Sequence, residues 1–450
     1  MLRTVFLISL STLFMACSGS RESTSSTAKR PNVIVILADD LGYETVNVNG
    51  GTSYHTPEID KMAANGIRFD HCYAQPLCTP TRVKLMTGIS NVRNYVRFGL
   101  LEEHQTTFGH IFKAAGYETC IIGKWQLGKD PMSPRHAGFD EHCLWQVTKG
   151  RIDKDGRDTR FSLPILETNG VLKRYEGEND FGPRITADYG LDFIDRKAKS
   201  GEPFLLYYPM ILTHCPFSPT PDSPEWAVDD TTVNEYKGHD HYFEDMMAYT
   251  DRIIGEINQK LEELGIKDNT IVLFTGDNGT DVPVISDLNG REVAGAKGKS
   301  TDAGTRVPLI VQWPDRIPVG QLTEDLVDMS DMLPTICEAA DIPIPDSLDL
   351  DGISFLPQLL GEAGNPRKWI YNWYSRSGQI EKARIFARNH RYKLYTTGEF
   401  YEVPEDYLEE RPLSKESLDQ EAMSAYEMLS EVLASYEARR LEEVPDLPKE

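Results

Sequence analysis

Val33-Ile34-Val35-Ile36-Leu37 is an unbroken apolar run rich in β-branched residues, and it ends in Asp39-Asp40-Leu41-Gly42. A strand without polar alternation must be buried on both faces, as in the centre of a parallel sheet with helices on each side. Thr270-Ile271-Val272-Leu273-Phe274 repeats the pattern and ends in Gly276-Asp277-Asn278-Gly279. Thr119 to Ile122 and Phe204 to Tyr208 also read as strands. Helical segments are expected from Thr56-Pro57 to Gly66, from Phe108 to Ala115, and from Tyr242 to Leu264. In the last of these, Met246, Tyr249, Ile253, Ile257, Leu261 and Leu264 keep helical spacing, and Gly265 is the stop. This alternation predicts an α/β fold with a large, mostly parallel sheet sandwiched by helices.

The texture changes after Gly361-Glu362-Ala363-Gly364-Asn365-Pro366. Trp369–Trp373, Arg384–Ala387, Tyr392–Tyr395 and Phe400–Val403 read as short strands of a small antiparallel sheet. Lys415 to Arg440 reads as an amphipathic helix that could cover it. At the other end, Arg3 precedes an apolar stretch from Val5 to Met15, too short to span a bilayer, and then Ala16-Cys17. This resembles a bacterial lipoprotein box, in which Cys17 would be acylated, with simple signal cleavage as the alternative. The expected organisation is therefore a leader at 1–17, a Ser/Thr-rich tether at 18–30, a catalytic domain at 31–361 and a C-terminal α+β subdomain at 362–450. The expected location is outside the cytoplasm, either periplasmic or held at the outer membrane as a lipoprotein.

A net charge of −23 argues against nucleic acid as a partner. An acidic chain can still bind an anion where cations and a metal are gathered locally. Seven cysteines cannot all pair within one chain. An exported protein could form one or two disulfides, but most are expected to be small core residues.

Ligands of open parallel sheets gather beyond the carboxyl ends of the strands. Asp39, Asp40, Asp277 and Asn278 lie there and make a hard, oxygen-only set suited to calcium or magnesium. Helix capping by Asp39-Asp40 and a tight turn at Asp277-Asn278-Gly279 are the competing explanations. Cys78 precedes Thr79-Pro80-Thr81-Arg82, with Gly88 ten residues on. Thr79 suits a helix cap, Pro80 a first turn and Gly88 a stop. Cys78 would then sit at the mouth of a short helix, exposed and acidified, with Arg82 one turn in. A buried structural cysteine would read the same way from these residues alone.

The longer pattern Cys78-x-Pro80-x-Arg82-x-x-x-Met86-Thr87-Gly88 resembles the sulfatase signature. In that family the cysteine is converted to formylglycine by a maturation enzyme, and the aldehyde hydrate is the nucleophile. Gly116-Tyr117-Glu118-Thr119 with Gly123-Lys124-Trp125-Gln126-Leu127-Gly128 resembles the second sulfatase signature, except that Gln126 stands where histidine is usual. Thr213-His214-Cys215-Pro216 and the run from Lys297 to Pro308 supply two further landmarks, the latter with Asp302 and Ala303 in place of the usual Glu and Gly. The four landmarks occur in order over roughly Pro31 to Pro412.

The resemblance implies an alkaline phosphatase-like fold and a sulfuric ester hydrolase acting on a sulfated small molecule or carbohydrate. It implies that Asp39, Asp40, Asp277, Asn278 and the modified Cys78 hold one divalent cation, usually calcium, with magnesium second. It implies catalytic roles for Cys78, Arg82, Lys124, His214 and Lys297, with Lys299 as an alternative to Lys297 and Arg306 structural. Gln126 is expected to bind substrate and, having no titratable proton, not to act as a base. Competing functions are a phosphate or phosphonate ester hydrolase of the same superfamily and a non-catalytic binder of sulfated glycans.

Overall fold

The structure is a computed structural model and describes residues 29–439. The expected leader, Cys17 and nearly all of the tether lie outside the described residues.

Ten strands form one sheet. From edge to edge they are Gln321–Asp328, Ile67–Tyr73, Arg306–Gln312, Thr270–Gly276, Asn32–Ala38, Phe204–Pro209, Glu118–Lys124, Glu141–Trp145, Ile165–Thr168 and Val171–Arg174. The five strands from Thr270–Gly276 to Glu141–Trp145 are all parallel, as expected. Antiparallel pairing enters on the flanks, at Arg306–Gln312 and at Ile165–Arg174. The latter is a hairpin closed by Asn169-Gly170, both left-handed at φ +50° and +84°. Asn289-Gly290 closes a separate two-stranded hairpin in the same way, at +54° and +81°. Two left-handed residues give the turn whose twist matches paired strands, so both Asn-Gly pairs were turn signals that the sequence reading passed over.

The unbroken apolar run is explained by two cores. Val33, Val35 and Leu37 point into one, beneath the helices Cys78–Thr87, Phe108–Ala114 and Met332–Ala339. Ile34, Ile36 and Ala38 point into the other, beneath Pro57–Ala64, Gly182–Ser200 and Phe243–Glu263. The last helix matches its expected extent to one residue at each end, and Gly265 follows it at φ +63°. Thr56 precedes Pro57–Ala64 but does not cap it with its side chain. Asp251 of the long helix does so instead, accepting from Ile59 N at 2.8 Å and from Glu58 N at 3.1 Å.

Ile370–Tyr374, Arg384–Arg388, Tyr392–Tyr395 and Phe400–Glu402 form the small antiparallel sheet in sequence order. The helix over it starts at Gln420 rather than Lys415, because Asp419 accepts from Ala422 N and caps it there. Leu429, Val432 and Tyr436 of that helix share a core with Tyr371, Trp373 and Leu394. Arg388 of the small sheet pairs with Asp302 beside the large one. The six described cysteines are all buried and unpaired. Among the described residues, no helix is long and apolar enough to cross a membrane.

Candidate active site

Strand register assembles the site. Asn32–Ala38 and Thr270–Gly276 are parallel neighbours that end level, with Ala38 opposite Gly276. Asp277 N donates to Ala38 O at 2.9 Å, so the two acidic ends lie side by side. Asp40 N donates to Asp277 Oδ1 at 3.0 Å, and Asn278 Nδ2 donates to Asp40 Oδ1 at 2.8 Å. On the other flank, Leu37 lies opposite Pro209, which brings the loop carrying His214 to the same edge. The next strand ends in Lys124. Four adjacent parallel strands thus deliver Asp277, Asp39, His214 and Lys124 to one crevice beyond their carboxyl ends.

Neither competing account of the acidic pairs survives. Asp39 and Asp40 cap no helix: the short turn Tyr43–Thr45 follows Gly42 and has no side-chain cap. Asp40 itself is left-handed at φ +61°. Asn278 and Gly279 are not left-handed, so they do not form the hairpin turn of the competing account. Gly279 serves close approach, since a Cβ there would stand 1.8 Å from Ala303 O.

The Cys78–Thr87 helix starts at Cys78 itself, and Gly88 ends it at φ +68°. Thr79 lies inside the helix and is not its cap; its hydroxyl instead accepts from Gly99 N at 3.2 Å. The exposed, acidified thiol is also corrected. Cys78 is 1% exposed, and burial pushes its thiol up although Lys124 pulls it back. Burial therefore disfavours the thiolate, and Sγ marks where the oxygens of a modified residue would lie. Lys124 Nζ stands 3.3 Å from Sγ and 2.7 Å from Asp39 Oδ2. Gln126, left-handed at φ +45°, accepts from Sγ at 3.5 Å through Oε1.

Arg82 is wholly buried, and its Nη2 donates to the backbone carbonyls of Lys124 (2.9 Å) and Trp125. It braces the Lys124–Gln126 turn, while its Nε and Nη1 make no well-formed hydrogen bond among the described residues. Lys297 Nζ lies 2.6 Å from Asp40 Oδ2 and 2.9 Å from His214 Nε2, whereas Lys299 is exposed. Lys297 is therefore the lysine of that run in the site. Burial opposes its charge, but Asp40 overrides this and raises its pKa well above the ordinary value. Arg306 donates to Asp70 O and pairs with the Asp70 carboxylate, away from the crevice.

Arg160 is the residue that sequence reasoning missed. It is 1% exposed and grips Asp158 through Nε–Oδ1 at 2.9 Å and Nη2–Oδ2 at 3.1 Å. Its Nη1 lies 2.7 Å from His214 Nδ1, and its guanidinium stacks on Trp145 at 4.4 Å. Burial first, then Lys297 and Arg160, hold His214 well below the ordinary histidine range. The signal was only an Asp-x-Arg spacing in a polar loop, which is indistinguishable from a solvated pair.

The donor set fits a hard divalent cation. One ligand atom each from Asp39, Cys78 and Asp277 lies within 4.8 Å of the others, as does one each from Asp39, Asp40 and His214. Asp39 Oδ1 and Asn278 Oδ1 are buried without any hydrogen-bond partner. Burial and neighbouring carboxylates push Asp40 up to about 6 and Asp277 well above the carboxylate range, against the pull of Lys297 and Lys124. Buried carboxylates that repel one another and buried oxygens without donors are what a cation would relieve.

The fold and crevice define an α/β protein with a buried, highly charged site beyond the carboxyl ends of its central parallel strands. The sulfatase family profile matches residues 31–342, and a profile for the C-terminal part of N-sulphoglucosamine sulphohydrolase matches 299–435. The chain belongs to the sulfatase family, and its activity is that of a sulfuric ester hydrolase. It is 28% identical to arylsulfatase G of Rattus norvegicus over 421 residues, covering 84% of this chain and 78% of that protein. It is 30% identical to N-acetylgalactosamine-6-sulfatase of Homo sapiens over 368 residues, covering 75% and 67%. Its fold matches the structure of BT4656 in complex with its substrate D-glucosamine-2-N,6-O-disulfate, with TM-score 0.74, 22% identity and coverage of 92% and 100%.

Proposed function

We propose that the chain removes a sulfate ester from a sulfated carbohydrate, with Cys78 converted to formylglycine by a maturation enzyme and calcium as the resident ion. The carrying observation is the convergence of Lys124, Gln126 and the Asp39/Asp277 pair on Cys78 Sγ. Asp39, Asp40, Asp277, Asn278 and the modified residue would hold the cation. When bound, it would supply positive charge that favours ionisation of the hydrate and draws density from the sulfate.

The chain's own groups act as follows. The hydrate oxygen forms a bond to sulfur as the bond from sulfur to the carbohydrate oxygen breaks. Lys124 and Lys297 neutralise sulfate oxygens from fixed positions, so little reorganisation accompanies charge development. His214 lies beside Lys297 and faces the leaving oxygen's side of the crevice. In the free chain it is neutral between two cations. The bound sulfate supplies the counter-charge that lets the His214–Lys297 pair deliver a proton to the leaving alcohol. The second hydroxyl then gives its proton to water, the aldehyde re-forms as the bond from carbon to the sulfated oxygen breaks, and sulfate departs. Gln126 holds the bound group by hydrogen bonds and takes no proton.

Mass spectrometry of the Cys78 peptide, from a host with the maturation enzyme, tests the reading: –CH2SH should be replaced by –CHO. Cys78→Ala should abolish turnover, and full activity in that variant overturns the mechanism. Matched aryl sulfate, phosphate monoester and phosphonate substrates should rank with sulfate first. We also propose export and anchoring through acylated Cys17, motivated by the Val5–Met15 stretch before Ala16-Cys17. Two or more acyl chains hold a protein at a membrane stably. Recovery in the soluble periplasmic fraction, with an N-terminus other than Cys17, would refute the anchor.

A further inference from the structure

A cavity of 370 Å³ opens beside the reaction centre, with Gln126 in its wall. Its other lining includes Arg97, Phe98, Lys129, Gln146 and Lys149. Among the described residues, three cationic side chains and no carboxylate line it, in a chain whose net charge is −23. That bias against the overall charge is local, and it lies where the remainder of a substrate must go. Gln126 accepts from Cys78 Sγ on one side and faces this cavity on the other.

The backbone on both sides of the cavity is unusual. Gln126 and Gln146 are left-handed at φ +45° and +62°, a conformation that costs a residue with a side chain about 1–3 kcal/mol. Gln126 N donates to Gln146 O at 3.2 Å, which ties the two together. Gln146 Oε1 is buried without a hydrogen-bond partner. It is an acceptor waiting for a hydroxyl or amide donor. A volume of 370 Å³ is within the ~300–1,000 Å³ range of small-molecule sites.

We infer that this cavity is a subsite for a second anionic group, a sulfate or a carboxylate, carried by the same sugar or the next one in the substrate. It rests on the reading that the scissile sulfate sits at Cys78. Gln146 takes a neutral donor of the sugar, Phe98 offers its ring face, and Arg97, Lys129 and Lys149 meet the anion. The subsite selects polyanionic substrates over singly sulfated ones.

The test uses full-length, metal-loaded, matured protein and the Lys129→Gln/Lys149→Gln variant, both positions being exposed. The probes are N-acetylglucosamine 6-sulfate, D-glucosamine-2-N,6-O-disulfate and a monosulfated disaccharide bearing a uronate. The wild-type enzyme should prefer one of the two dianions, and which one it prefers separates sulfate from carboxylate. In the variant, the ratio of kcat/KM for that dianion over the monoanion should fall by about ten- to hundredfold, the weight of one or two charge-assisted contacts. An unchanged ratio, or no preference in the wild-type enzyme, overturns the subsite. If no sulfate ester is turned over at all, the functional reading fails instead. Equilibrium binding of the same probes to Cys78→Ser protein then decides the subsite alone: a preference for the dianion that the variant loses supports it, and equal affinities overturn it.

Discussion

Replacing Arg160 with methionine is the most informative single change outside the catalytic groups. Arg160 and Asp158 are each 1% exposed and joined by two hydrogen bonds. Without the guanidinium, Asp158 keeps only the backbone N–H of residue 160 at 3.1 Å and Arg151 Nη1 at 3.4 Å. Stranding one charge of a buried pair costs about 3–5 kcal/mol, and the two remaining contacts place this case near 3 kcal/mol. His214 Nδ1 also loses its 2.7 Å neighbour and keeps the Cys215 carbonyl at 2.6 Å, so the imidazole is held less firmly against Lys297. A displacement of ~1 Å at a reacting group can cost about 10²-fold in rate. Urea unfolding of Arg160→Met, Asp158→Asn and the double variant, with aryl sulfate turnover of each, measures both effects. The double variant should lose at least about 1 kcal/mol less than the sum of the singles, because no uncompensated charge remains. Arg160→Lys should restore stability better than rate, since an ammonium cannot hold Asp158 and His214 in one planar fork. Additive losses in the cycle, or wild-type kcat in Arg160→Met, would refute the argument.

Removing the cation with a chelator should lower stability, by about 4 kcal/mol if the ion was present at a thousand times its Kd, and Asp277→Ala should abolish that difference; elemental analysis showing stoichiometric metal in both Asp40→Ala and Asp277→Ala would reject the site. Burial holds His71 down to about 3 and His142 to about 4, with Arg306 and Arg388 adding to the first and Arg135 to the second. Both folded values are depressed, so their contribution is complete above pH ~6.5 and is lost as pH falls, because the unfolded chain takes up protons that the folded chain refuses. From pH 6.5 to 4 the loss should be about 5–6 kcal/mol for the pair together, and a His71→Gln/His142→Asn variant with the same pH slope in urea unfolding would contradict this. Gln126→Ala should raise KM more than it lowers the rate of the final elimination; build-up of a sulfated enzyme intermediate at unchanged affinity would show the opposite role.

The sequence alone determined what depends on local pattern. Val33–Leu37 and Thr270–Phe274 declared a sheet buried on both faces, because only such a strand lacks polar alternation. The Phe243–Glu263 helix and its glycine stop followed from 3.6-residue spacing. The motif around Cys78 and the acidic strand ends named most residues of the crevice. Local pattern did not say that the two acidic ends would lie level, or that His214 and Lys124 would come from the next two strands. Those facts are register, fixed by pairings between residues far apart in the chain. Burial was equally out of reach. Cys78 looked exposed and acidified at a helix mouth, but desolvation by packed neighbours outweighs a helix terminus, and its thiol is pushed up instead. Thr79 fitted a cap by residue type, but the Cys78 helix starts before it, and the cap of Pro57–Ala64 comes from Asp251 on a distant helix. Arg160 and Asp158 looked like any polar loop pair and became a buried fork behind His214. Periodicity and motif report what a segment prefers on its own, whereas the charge state of a buried group depends on which distant segments exclude water from it, and only the tertiary structure decided that.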